Sequence, residues 1–189
     1  MASEMRRVVV TGLGAVTDLG VGVPALWDGL SNARSGISSI TAFEQDDQWT
    51  TTIAGEASDF DPTDFMTVPE ARKIDRACQF GFAAAIEAGA DSGLDFQAGD
   101  PTRRGVAIGS GIGGIQTIEV HYGRLLEKGP KRLSPFVVPK LMVNATAGQV
   151  AIHYNLRGCN TAVATACATG GHAIADATMM IQRDMADVM

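Results

Sequence analysis

The sequence predicts an α/β layered fold, and three features predict it. Short β-branched or apolar runs recur: Arg7-Val8-Val9-Val10-Thr11, Arg104 to Gly109, and Thr161-Ala162-Val163-Ala164-Thr165. Runs of this length, bounded by glycine or turn residues, read as buried strands. Stretches with apolar residues three and four apart lie between and after them, as at Ala173, Ile174, Ala177 and Ile181, and read as helix faces. Strands alternating with helices build layers. The third feature is composition: 46% hydrophobic and 19% charged over 189 residues is that of a globular domain with a core.

The elements follow in order. The Arg7–Thr11 run closes on Gly12-Leu13-Gly14, which predicts a central strand and a tight turn. Pro24 suits the first turn of a short helix carrying Leu26, Trp27 and Leu30. Residues 41–68 are polar and aromatic and read as a surface excursion with short strands such as Thr51–Gly55. A helix is expected from Pro69 to Ser92, with Phe80, Ala83, Ala84 and Ala88 inward and Gly93 as its stop. After the run at 104–109 comes Gly109-Ser110-Gly111-Ile112-Gly113-Gly114, then a helix from Ile115 to Lys128. Phe136–Pro139 reads as a loop, and Asn144 can cap a helix through about His153. Ala186 to Met189 reads as the start of a further strand that nothing closes. The chain is therefore expected to be a single domain, 1–189, cut short at its C-terminal end.

Composition narrows the functions. A formal net charge of −6 argues against general nucleic-acid binding. No apolar run approaches membrane-spanning length, and Met1 to Arg7 carries no secretory apolar region. The three cysteines, Cys78, Cys159 and Cys167, match no zinc spacing and no disulfide framework, which points to a reducing cytoplasm and no metal.

Chemistry concentrates at Ala166-Cys167-Ala168-Thr169-Gly170-Gly171, where the predicted strand gives way to a helix. Backbone N–H groups at such a junction are unpaired and the helix dipole is positive there. Both effects favour an anionic sulfur in general and can hold a developing oxyanion. The small neighbours leave room for a substrate. The arrangement is like the nucleophile elbow of hydrolases with sulfur in place of oxygen. The alternative is a cysteine that simply fills a core.

Two other segments carry competing readings. Arg72-Lys73-Ile74-Asp75-Arg76 is the densest basic cluster, either a solvated face or an anion-binding patch. The glycines at 109, 111 and 114 satisfy G-x-G-x-x-G, but the acidic residue expected about twenty positions on after a further strand is missing, which argues against a dinucleotide site. Backbone-to-backbone packing, or close approach to an acyl chain, accounts for them instead. His121 and His153 fall on predicted helices. His172, five residues after Cys167, stands about 140° round a helix from it and is expected to point away from the sulfur.

Several runs together resemble the β-ketoacyl-acyl-carrier-protein synthases, the synthase II group in particular. They are Arg6 to Gly14, Ala107 to Gly114, Leu133-Ser134-Pro135-Phe136, and Gly158 through Cys167 to Gly170, in order and at matching separations. The resemblance covers the whole chain as an N-terminal half. It implies a thiolase-like fold of two similar α/β halves stacked in five layers and assembled as a homodimer, with no cofactor. It also implies that Cys167 is acylated from an acyl carrier protein, and that a second carrier brings malonate, whose decarboxylation supplies the attacking carbanion. Ile112 would reach the neighbouring subunit's acyl pocket, and Arg72 and Lys73 would form part of the docking patch for the acidic carrier. The family's two histidines and second oxyanion donor lie in its other half, so this chain alone is expected not to condense substrates. A polyketide-type ketosynthase, a non-catalytic partner subunit of the same fold and a nucleotide-binding oxidoreductase are the competing readings. The chain departs from the family pattern at Asp18, Cys159, Gly171, Ala175 and Arg183-Asp184-Met185, and Pro69 stands where some members carry a docking lysine.

Overall fold

The computed structural model describes residues 5–189. In chain order the elements are β1 (Val16–Thr17), β2 (Gly20–Val21), α1 (Val23–Ser31), β3 (Ile37–Ser39), β4 (Ile53–Gly55), α2 (Val68–Ala71), α3 (Arg76–Asp91), β5 (Val106–Ala107), α4 (Ile115–Lys128), α5 (Val137–Leu141), α6 (Ala145–Tyr154), β6 (Asn160–Thr161) and α7 (Thr169–Gln182). Two antiparallel hairpins form, β1–β2 and β3–β4, and of the four strands only β4 falls in the excursion predicted over 41–68, at the short strand expected there. The ladder that positions the site is parallel: β5 pairs β6 with Val106 opposite Asn160 and Ala107 opposite Thr161. An isolated parallel bridge joins Arg104 to Val188 beside it.

The core lies between α3, β5 and α6. Phe82, Val106, Ala147 and Val150 form its buried centre, with Ile108, Tyr154 and Leu156 packed against it. Burying a side chain of the size of Phe82 or Val150 contributes about 1.5–3 kcal/mol. These residues fix the end of β5, and hence the glycine loop that follows it.

Several expectations are corrected. Arg7–Thr11 joins no ladder among the described residues, and Val9 and Val10 are exposed. The turn that follows it lies on α3: Leu13 N–H donates to Asp91 Oδ2 at 2.9 Å and Ala15 N–H to Glu87 Oε2 at 2.9 Å. Carboxylates on a helix thus take the donors that a neighbouring strand would take. The helix expected over 69–92 is two helices. Asp75 breaks it by capping α3 through a 3.0 Å bond from Ala77 N–H, since a capping carboxylate competes with helix continuation. The inward residues of α3 are Cys78, Phe82 and Ala83, with Phe80 and Ala84 only half-buried. Phe136–Pro139 is not all loop, because α5 begins at Val137. Pro139 is tolerated there since first-turn N–H groups have no intrahelical acceptor. Asn144 stands at the N-cap of α6 without a side-chain cap bond. The run at 161–165 pairs only at its start, and Ala164 and Thr165 are exposed rather than buried. On α7, Ala173 is buried while Ile174 is exposed. The bounds of α4 and the stop at Gly93, which has φ 65°, agree with the expectation.

Candidate active site

Cys167 stands in the middle of a 3₁₀ turn, Ala166–Ala168, that leads directly into α7, and it is exposed. The turn follows a backbone reversal. Ala166 has φ 49°, a left-handed conformation that costs a non-glycine residue about 1–2 kcal/mol. A strained residue immediately before an exposed thiol is what a strand-to-helix elbow requires. The turn's first internal bond runs from Ala168 N–H to the Thr165 carbonyl at 3.1 Å, so the Cys167 N–H precedes it and has no acceptor within the turn. No side chain caps the turn or α7. The start of α7 therefore presents N–H groups and the positive end of its dipole beside the sulfur.

Side chains from α7 brace the reversal. Thr165 N–H donates to Thr169 Oγ1 at 2.9 Å, and the Thr169 hydroxyl donates to the Ala166 carbonyl at 2.8 Å. His172 Nδ1 lies 2.8 Å from Thr165 Oγ1. Its ring folds back onto Thr165, two residues before the sulfur.

The glycine loop lies against this elbow, and its glycines are needed for contact. A methyl group added at Gly109 would sit 2.0 Å from the Val163 carbonyl oxygen and 2.6 Å from Thr169 Cγ2. One at Gly114 would sit 2.4 Å from the Lys140 carbonyl oxygen, and one at Gly113, whose φ is 78°, 2.3 Å from that of Leu141. Backbone-on-backbone packing explains them. A methyl group added at Gly111 would lie 3.4 Å from Ala166 Cα, in ordinary contact, and Ile112, next in sequence, is exposed.

Arg72 and Lys73 lie apart from the sulfur, exposed on the turn between α2 and α3. Lys73 Nζ is 6.0 Å above the Phe136 ring. Asp75 links the two places. Its buried carboxylate caps α3, accepts from Thr117 N–H at 3.0 Å and Thr117 Oγ1 at 2.6 Å, and lies against Gly114. Sequence reading passed over Asp75 and Thr169. A capping residue type within the helical pattern is the signal that could have found the first.

The other two cysteines differ. Burial pushes the Cys78 thiol up, partly offset by a hydrogen bond with Thr146, so it is a core group rather than a nucleophile. Cys159 is half-buried before β6. His121 is buried with its Nδ1 unpartnered, and burial together with nearby Arg124 and Lys140 holds its basicity down. His153 packs edge-on against Phe82. A cavity of about 520 Å³ lies away from the sulfur, between Gly12, α3, β5 and Met189. Among the described residues, no helix is long and apolar enough to cross a membrane.

A bare helix start, a braced left-handed residue and a backbone-packed glycine loop around one exposed thiol define the site. The family described as beta-ketoacyl synthase, N-terminal domain, matches the chain over residues 5–189. The chain belongs to this family. It is 46% identical over 184 residues to 3-oxoacyl-(acyl-carrier-protein) synthase 2 of Vibrio harveyi, covering 97% of this chain and 44% of that protein. It is 44% identical over 186 residues to the synthase of the same name from Coxiella burnetii, covering 98% and 45%. The chain thus spans under half the length of these relatives. Among solved structures, the ishigamide ketosynthase/chain length factor superposes with TM-score 0.84 at 28% identity, covering 97% of this chain and 46% of that one. A type II polyketide ketosynthase in complex with its acyl-carrier protein and bound to the hexaketide superposes with TM-score 0.79 at 28% identity, covering 97% and 49%. The fold is that of the thiolase-like ketosynthases, seen here over about half of such a chain.

Proposed function

We propose that this chain is the N-terminal half of a condensing enzyme that elongates fatty acyl chains held on acyl carrier protein, with Cys167 as its acylated nucleophile. The observation that carries the reading is the exposed Cys167 at an uncapped helix start, in a member of the β-ketoacyl synthase family.

The Cys167 sulfur attacks the acyl thioester carbonyl on the carrier. The carrier's C–S bond breaks, its thiolate leaves and a Cys167 thioester forms. The Cys167 N–H stabilises the oxyanion of the tetrahedral intermediate. A malonyl group on a second carrier then loses CO₂, and the electron pair of the broken C–C bond passes into an enolate. The enolate carbon attacks the carbonyl carbon of the acyl-Cys167 thioester, the acyl C–S bond breaks and the Cys167 sulfur leaves, giving a 3-oxoacyl chain two carbons longer. The chain's own half supplies nucleophile, oxyanion donor and glycine frame, while the decarboxylating histidines belong to the other half. By itself the chain does not turn over.

Ile112 reaches into the acyl pocket of the neighbouring subunit of a homodimer. Arg72 and Lys73 steer the acidic carrier, which gives a basic cluster a partner despite the net charge. The three free thiols support a cytoplasmic setting. The higher identity to the synthases named 3-oxoacyl-(acyl-carrier-protein) synthase 2 favours elongation over a polyketide role, which the solved ketosynthase structures keep as the second reading.

The test uses the full-length protein with acyl-carrier substrates. The acyl group is expected on the peptide containing Cys167, and Cys167→Ala is expected to abolish both acylation and condensation. Acylation elsewhere overturns the nucleophile. Turnover of polyketide intermediates alone overturns the fatty acyl substrate.

A further inference from the structure

The elbow is held less by its own backbone than by the helix it opens. Ala166 at φ 49° relaxes toward the right-handed region unless neighbours over-determine it. Thr169 restrains one side of the reversal, taking the Thr165 N–H and donating to the Ala166 carbonyl. His172, one turn on, holds the Thr165 side chain at 2.8 Å.

We infer that His172 is a positioning residue for Cys167, acting through Thr165: their hydrogen bond fixes the turn containing the left-handed Ala166, and so the direction in which the sulfur leaves the start of α7. The inference rests on Cys167 being the acylated nucleophile. Two features of the bond fit this role. Both side chains are exposed, so water competes with the bond and its contribution to folding is small, while its effect on local geometry remains. The bond also survives either charge state of the ring, because the threonine hydroxyl donates to a bare Nδ1 and accepts from a protonated one. It therefore orients without having to exchange a proton with substrate, which separates it from a general base.

The experiment follows single-turnover acylation of the full-length protein by octanoyl-carrier protein, and alkylation by iodoacetamide. His172→Ala and Thr165→Val are each expected to slow acylation about 10–100-fold with little change in KM for the carrier, the cost of a misdirected reacting atom. The double variant is expected to be no slower than either single, since both remove one bond. His172→Asn, whose amide reaches the place of Nδ1, is expected to restore most of the rate. Unchanged single variants, an additive double variant, or His172→Asn as slow as His172→Ala overturns the inference. If His172→Ala does not fold, Thr165→Val and His172→Asn decide it alone. Cys167→Ala separates the two levels: if it is acylated normally the nucleophile reading falls, whereas if it is inert and both His172→Ala and Thr165→Val react normally, only the positioning role falls.

Discussion

Two helices begin beside the glycine loop, and they begin in opposite ways. The start of α3 is closed: the buried Asp75 carboxylate fills it and also takes the Thr117 N–H in the first turn of α4. The start of α7 is open: no side chain caps it, and an exposed thiol stands there instead. The same positive dipole end is spent on structure in one case and left for substrate charge in the other. A filled helix start beside a glycine loop is thus a scaffold, and the empty one is where chemistry is expected.

Closing the comparison from the structural side gives the largest stability effect. Asp75→Ala removes a cap worth about 0.5–2 kcal/mol and charge-assisted bonds worth about 1.5–3 kcal/mol, so a loss of about 2–5 kcal/mol is expected by denaturant unfolding. Unchanged unfolding would mean that α3 and α4 are not tied at that carboxylate. Converting the open start into a closed one should have a smaller and opposite effect. Ala168→Asp puts a carboxylate at the N-cap of α7 and is expected to stabilise by about 0.3–1 kcal/mol. It is also expected to slow alkylation of Cys167, because a neighbouring negative charge disfavours a thiolate. A variant that is more stable and equally reactive would separate the open helix start from the thiol's chemistry.

The smallest effect is expected at the far end of α7, where charge is paired on the surface. Asp187 accepts from Arg103 Nε at 3.0 Å and from Arg6 Nη2 at 2.9 Å, and these bonds, Arg103 first, hold its carboxyl well below the usual carboxylate range. A depressed carboxyl stabilises fully above its unfolded value, about pH 3.9, and loses that contribution as pH falls toward the folded value. Wild type should therefore melt above Asp187→Asn near pH 6, with the gap narrowing below about pH 4. A gap that widened in acid would contradict the network.

Local signals were legible and relayed ones were not. The span of α4 and the stop at Gly93 could be read because spacing and glycine act within a few residues. The break between α2 and α3 was hidden, since Asp75 is one residue inside an otherwise continuous helical pattern. The place of Arg7–Thr11 was also hidden, because strand content does not say whether a ladder or the carboxylates of α3 will take its neighbours' N–H groups. Within the site, Cys167 and the glycine frame were readable from small residues at a strand-to-helix junction. The contact of His172 with Thr165 was not readable by counting degrees from Cys167, which assumes one straight α-helix, whereas the left-handed Ala166 and the 3₁₀ turn redirect the chain before α7 begins.

The loop from Gly109 to Gly114 also bears on how such a site can diverge. At 109, 113 and 114 any side chain would strike a carbonyl oxygen, so those positions are closed to drift. Ile112 meets no such bar and is exposed. On the proposed reading, in which Ile112 lines an acyl pocket, natural variation or laboratory selection can re-size residue 112, and so the substrate taken, while the glycines that seat it stay fixed.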